Sequence, residues 1–342
     1  MRVLITGTDG YIGSVLAPAL IARGHDVVGL DTEYYREARL GPEPDVSYPV
    51  LAKDLRHVTP ADLEGFDGVI HLAGLSNDAL GQISRDVTYE INHLAAVRLA
   101  TLAKDAGVRR FVYSSSCSVY GRSGEGIVDE RSPVDPRTDY ATCKVLDARA
   151  IAALGDERFS PVFLRNATAY GVSPRMRFDL VLNNLAALAW TTRRIALVSD
   201  GTPWRPLVHI LDISQAIVAA LEAPRDAVHN EIFNVGSTAA NYQIRDIAMC
   251  LADVFEGCDV TFGSTDPDQR SYRVSFDKAA RQLPGFQCRW DLRRGALELR
   301  DFFERVHFTE ELFRFRAFTR LEQLKHLLEG GQIDERFFWT RA

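Results

Sequence analysis

Apolar positions along the first half of the chain fall into two alternating rhythms. Short runs that are apolar almost throughout, RVLIT, DVVGL, GVIHLA and RFVYSS, are separated by longer amphipathic stretches, one reaching about Arg23 and another running from about Arg85 to Ala106. A strand without a polar face is buried on both faces, whereas a period of about 3.6 residues marks a helix with one apolar side. The alternation therefore predicts a βαβ series: an α/β fold with a doubly wound parallel sheet covered by helices.

After Phe163-Leu164-Arg165 the rhythm loosens. Gly171 to Arg177 reads as a polar loop, shorter elements follow through Arg205, and LVHILDISQAIVAALEAP reads as a strand and a helix that return to the first sheet. The chain is thus expected to interleave residues 1–171 and 206–235 in the large domain with 172–205 and 236–304 in a smaller C-terminal lobe, and to end in a helical tail over 305–342. In that tail Leu321, Leu324, Leu327 and Leu328 recur at helical spacing, which predicts a helix packed on the body or across a dimer rather than one touching a ligand.

A length of 342 residues leaves room for two cores. The net charge of -6 provides no global basic field, which argues against nucleic acid as a partner. The chain enters its first strand without a long apolar run, so a cytoplasmic location and no membrane partner are expected. Five cysteines without a CxxC pair read as reduced thiols, and eight histidines without HExxH spacing predict no metal site.

The segment Gly7-Thr8-Asp9-Gly10-Tyr11-Ile12-Gly13 directly follows the first strand and opens a helix. Glycines there let a phosphate approach backbone N–H groups at the helix N-terminus. A glycine triplet alone also suits a plain turn. Here it sits at the first βα junction, and Asp31 ends the second strand, where a carboxylate accepts hydrogen bonds from a ribose diol and repels a 2′-phosphate. The pair predicts a Rossmann domain that binds NAD in preference to NADP, with Arg36 and Arg39 as solvated charges. Asp54 and Leu55 are placed to meet the adenine, and Leu72-Ala73-Gly74 leaves room for the cofactor backbone, while His71 reads as a core histidine.

Tyr140-Ala-Thr-Cys-Lys144 sets a phenol and an ammonium one helical turn apart, so both face one cleft. A phenol titrating near pH 10 is a poor base at neutrality, but an adjacent cation stabilises its phenolate. Tyr140 is therefore expected to be the acid and base, with Ser116 at the end of RFVYSSS holding the reacting oxygen.

With HLAG, YEINHLAAVRLATLAKDAGVRRFVYSSSCSVYG and WRPLVHILDI, these motifs resemble the extended short-chain dehydrogenase/reductase family over roughly residues 1–300. The branch is that of NAD-dependent epimerases and dehydratases acting on nucleotide sugars. The resemblance implies that Ser116, Tyr140 and Lys144 are the catalytic set, that Lys144 also holds the nicotinamide ribose, and that Asn92 belongs to the cofactor site. It implies a homodimer whose smaller C-terminal substrate-binding lobe closes on a nucleoside diphosphate sugar. Arg205 would grip the diphosphate, Arg270 and Arg273 of DQRSYRV would add phosphate contacts, and Ser76, Ser118, Thr168, Asn184 and Leu185 would meet the substrate.

The sequence departs from the family pattern in ways that bear on the reaction. Members that eliminate water carry an Asp-Glu pair directly after the catalytic hydroxyl residue, where this chain has Cys117 and Ser118, and the Glu of decarboxylating relatives is missing too. Thr168 stands where the family has Asn. Alternation along a strand end points Cys117 away from the side shared by Ser116 and Ser118. The expected reaction is therefore inversion of one carbon, C4, through a transient ketone. A net reductase, dehydrogenase or dehydratase is the alternative, and a non-catalytic NAD-sensing protein a third.

Overall fold

The structure, a computed structural model, describes residues 1–41, 46–76, 84–264 and 270–340. Seven parallel strands form the central sheet in the order β11 (Ile232–Val235), β7 (Ser160–Asn166), β5 (Arg110–Ser116), β4 (Gly68–His71), β1 (Arg2–Thr6), β2 (Asp26–Asp31) and β3 (Val50–Ala52). Successive side chains of β1 go to opposite cores. Val3 and Ile5 pack with helices Gly13–Ala22 and Ile210–Glu222, and Leu4 packs with helices Ala95–Asp105 and Asp139–Ala152. Burial of each such aliphatic side chain stabilises the fold by roughly 1.5–3 kcal/mol. The strand order reverses between β1 and β4, and a crevice opens beyond the strand ends at that switch point.

The strand expected to return to this sheet, β10 (Trp204–His209), does not do so. It lies between β8 (Thr168–Tyr170) and β12 (Asn241–Gln243) in a separate three-stranded sheet. The edge of β7 is occupied by β11, and β8, one residue beyond β7, leads the chain out to meet β10 in parallel register. The helix Ile210–Glu222 and β11 do rejoin the large sheet. Two further strand pairs, β13 (Asp259–Phe262) with β9 (Arg194–Leu197) and β14 (Ser271–Val274) with β6 (Arg122–Val128), flank the smaller lobe. Its core gathers Leu182, Leu251, Leu299 and Phe303 from helices Val181–Thr192, Ile244–Val254 and Leu292–Arg305.

The tail does pack on the body. Leu324 and Leu327 of helix Arg320–Glu329, with Ile333 and Phe337, bury Tyr34, Leu75, Val87 and Ile91. Trp339 Nε1 donates to Thr32 O at 2.7 Å, so the tail crosses the segment that follows β2. Among the described residues no helix is long and apolar enough to cross a membrane.

Candidate active site

The glycine loop runs so close to the end of β4 that side chains do not fit. Gly7 has φ +79°, and a Cβ on it would lie 2.8 Å from Ala73 N, while a Cβ on Gly13 would lie 2.2 Å from Gly7 O. Gly7, Gly10, Tyr11, Ile12 and Gly13 line one cavity together with Asp31, Asp54, Leu55, Leu72, Ala73 and Gly74. The Asp31 carboxylate accepts the N–H of Asp9 at 2.9 Å and of Glu33 at 2.8 Å. Burial nevertheless pushes it up to about 6, helped by the neighbouring Asp9 charge. Tyr11 donates its hydroxyl to Gly171 O at 2.6 Å and so ties the loop to the chain leaving β8.

Two expected cofactor residues are engaged elsewhere. Asp54 borders the cavity, yet its carboxylate caps the turn Leu55–His57 and forks onto Arg56 at 2.9 and 2.8 Å, since a short turn needs an N-terminal acceptor. Asn92 is not among the cavity-lining residues. It sits in the π turn Glu90–Leu94, and its amide binds both the N–H and the C=O of Leu75, at 2.7 and 3.0 Å. Asn92 is thus a brace behind Gly74. His71 is a core residue as expected: its Nδ1 lies 2.7 Å from Thr6 Oγ1, and burial pushes it down to about 3.

Helix Asp139–Ala152 starts at Thr138, whose side chain accepts the N–H of Ala141, and it carries Tyr140 and Lys144 on one face. Lys144 is 7% exposed; its Nζ donates to Ser114 O at 2.7 Å and lies 5.6 Å from the Tyr140 ring centre. Burial pushes it down to about 8. On the next turn Asp147 is fully buried, accepts from Tyr113 OH and meets His93 Nδ1 at 2.6 Å, anchoring the helix behind Lys144.

A second cavity, walled by the smaller lobe, holds Ser116, Ser118, Thr168, Asn184, Leu185, Arg205 and Arg270. Ile12, Ser76, Ser114, Tyr140, Ala169 and Arg177 line both cavities, so Tyr140 stands where the two meet. Ser116 Oγ accepts the N–H of Ser118 at 3.1 Å and caps the turn Cys117–Tyr120. Cys117 points into the core, with Sγ donating to Arg165 O at 3.2 Å, and burial pushes its thiol far up. Arg205, held to the carbonyls of Trp204 and Arg270, borders the cavity. Arg273 does not: alternation along β14 turns it outward onto the Trp204 ring, 5.2 Å away. Asp268 and Gln269 of the same motif lie outside the described residues.

Sequence reasoning passed over two arginines. Arg177 forks onto Asp179 at 2.9 and 3.0 Å and donates to Ser76 Oγ at 3.0 Å. Arg320 reaches the first cavity from the tail, and its guanidinium carbon lies 4.1 Å from the Tyr35 ring centre. The arginine-rich MRFD and FTRL segments carried no spacing signal that marked them.

Comparison with known proteins agrees with this geometry. The NAD dependent epimerase/dehydratase family model matches residues 3–236. A UDP-glucose 4-epimerase of Corynebacterium glutamicum is 30% identical over 273 residues, which span 73% of this chain and 79% of that protein. The solved structure of MoeE5 in complex with UDP-glucose and NAD superposes with a TM-score of 0.76 at 28% identity, covering 89% of this chain and 99% of that one. An NAD-dependent NDP-hexosamine 5,6-dehydratase, TunA, superposes with a TM-score of 0.78 at 25% identity over 89% and 98%.

Proposed function

Because the chain belongs to the NAD-dependent epimerase/dehydratase family, we propose that it inverts one carbon, C4, of a nucleotide sugar through a transient ketone. The observation that carries this reading is the position of Tyr140 on the wall common to both cavities, with no free second acid beside it among the described residues. Among the described residues the only carboxylate lining the substrate cavity is Asp179, and Arg177 holds it. Inversion needs one proton shuttle, whereas elimination of water needs another acid and base on the ring.

The enzyme is NAD-dependent, and the first cavity fits that cofactor: glycines clear a path for the pyrophosphate, and Asp31 presents a carboxylate to the adenosine ribose. Held there by the glycine loop and Asp31, NAD would supply a reversible hydride acceptor for the sugar carbon. The chain's own residues do the rest. Tyr140 takes the proton from the sugar hydroxyl and gives it back, the Lys144 cation lowers the cost of the phenolate, and Ser116 holds the reacting oxygen. Lys144 would also hold the nicotinamide ribose. Arg205 and Arg270 offer cationic donors to the diphosphate, and Thr168, Asn184, Leu185 and Ser118 border the rest of the substrate. Among the described residues the buried Ser118 hydroxyl has no hydrogen-bond partner, which suits it to a sugar hydroxyl.

The proposal includes a homodimer, as the family resemblance implies, and a cytoplasmic location. The test is to incubate the purified protein with UDP-glucose, UDP-glucuronic acid and dTDP-glucose and follow each by proton NMR. The expected outcome is a C4 epimer without net NADH. Loss of water or steady accumulation of NADH assigns the dehydratase or reductase reading instead.

A further inference from the structure

Arg320 is 3% exposed and lines the dinucleotide cavity, yet among the described residues it has no ion-pair partner. Its two hydrogen bonds, to Ala317 O and Arg175 O, are long at 3.4 and 3.5 Å. A buried cation without a counter-ion costs several kcal/mol in general, and the nearby acids Asp179 and Asp31 act on Arg320 only through space and offset its burial only in part. Asp179 is forked onto Arg177, Asp9 is paired with Arg175, and Asp31 already accepts two backbone N–H groups. The ring beneath it, Tyr35, is kept neutral because burial pushes its phenol up to about 12. Burial and the neighbouring Arg177 charge push Arg320 down to about 10, against the opposing pull of Asp179 and Asp31.

We infer that Arg320 is a cofactor-binding residue delivered by the C-terminal tail, and that it pairs with the pyrophosphate of the dinucleotide from the wall opposite the glycine loop. The placement supports this ligand over the others in the same cavity. Arg320 shares the cavity with Asp31, which marks the adenosine ribose, and with Arg177, which reaches Ser76 at the border of the substrate cavity, and both charges act on it. The diphosphate bridge of a dinucleotide joins the adenosine ribose to the nicotinamide end. The tail lies outside residues 3–236, the part matched by the family model. Packing of Leu324 and Leu327 against Tyr34 and Leu75 fixes the helix from which Arg320 projects.

The inference rests on NAD binding and is tested separately from it by calorimetric titration of cofactor-free protein with NAD, NADP, ADP and adenosine. Arg320→Met should weaken NAD and ADP about ten- to a hundredfold and adenosine by less than about threefold, since only the first two carry the diphosphate. It should leave the melting temperature of the cofactor-free protein unchanged or raised, because an unpaired buried charge is removed. Arg320→Lys, which keeps the charge, should bind ADP more tightly than Arg320→Met. Equal losses for adenosine and ADP, a lowered melting temperature or failure to fold, or no advantage of lysine would each make Arg320 structural and overturn the inference. A loss confined to NADP would assign the arginine to a 2′-phosphate and overturn it too. Failure of the unaltered protein to bind NAD would instead sink the cofactor reading.

Discussion

The Nζ of Lys144 donates to the carbonyl oxygen of Ser114 at 2.7 Å, and this bond fixes the ammonium 5.6 Å from the Tyr140 ring centre. The cation thus acts on the phenol through space from a fixed position. Tyr140→Phe removes only the phenolic oxygen, so turnover should fall by about a hundred- to ten-thousand-fold while NAD affinity and melting temperature stay nearly unchanged. Parallel rate assays and NAD titrations check this; activity within a small factor of the unaltered protein would remove Tyr140 from the mechanism.

Asp31 gives NAD binding a pH dependence. Its carboxyl is held up to about 6 by burial in the cofactor-free protein, and a ribose diol donates to the ionised form. Below that pH the group must lose a proton before NAD binds, so affinity should fall by up to about tenfold per unit. Above it the affinity should be flat. Asp31→Ala should abolish the acid limb and weaken NAD more than NADP, and an unchanged ratio of the two affinities would misplace the ribose contact.

Cys117 and Ser118 are neighbours with opposite fates. The thiol is buried against Arg165 O, whereas the serine borders the substrate cavity. Cys117→Ala should keep most activity with a modest loss of stability. Ser118→Ala should leave stability nearly intact and raise KM for the sugar. If Cys117→Ala blocked solvent deuterium entry into the sugar ring while hydride transfer persisted, inversion at one carbon would be the wrong reaction.

Gly295 lies inside helix Leu292–Arg305, where alanine would ordinarily stabilise by about 1 kcal/mol. A Cβ there would sit 2.2 Å from the Tyr170 ring of β8. Overpacking of this kind costs roughly 1–3 kcal/mol, so Gly295→Ala should lower the melting temperature despite its better helix propensity. Scanning calorimetry decides the sign.

The parts of the site that follow local rules were readable in the sequence. The glycine loop, Asp31, Ser116 and the Tyr140–Lys144 turn each sit at a strand end or helix face whose geometry is set within a few residues. Asn92 and Arg273 were assigned to the right neighbourhood, but which way a side chain points depends on a π turn in one case and on strand register in the other. The destination of β10 depended on which strand takes the edge of β7, a competition between distant segments that the later β11 wins. Arg177 and Arg320 were invisible for the same reason, since their importance comes from what surrounds them. The leucine spacing of the tail located its helix and hid its arginine.

The position of β11 and of the tail in chain order sets the sequence of events during synthesis. β7 is buried along its whole length, yet its outer neighbour is β11, made only after the intervening substrate segments. While the chain is still growing, β7 is an open edge and a template for wrong pairing. The cavity wall that includes Arg320 comes later still. Nucleotide therefore meets the wall that includes Arg320 only after that residue has been made, and added NAD should stabilise a chain that extends through residue 340 far better than one cut short before residue 320.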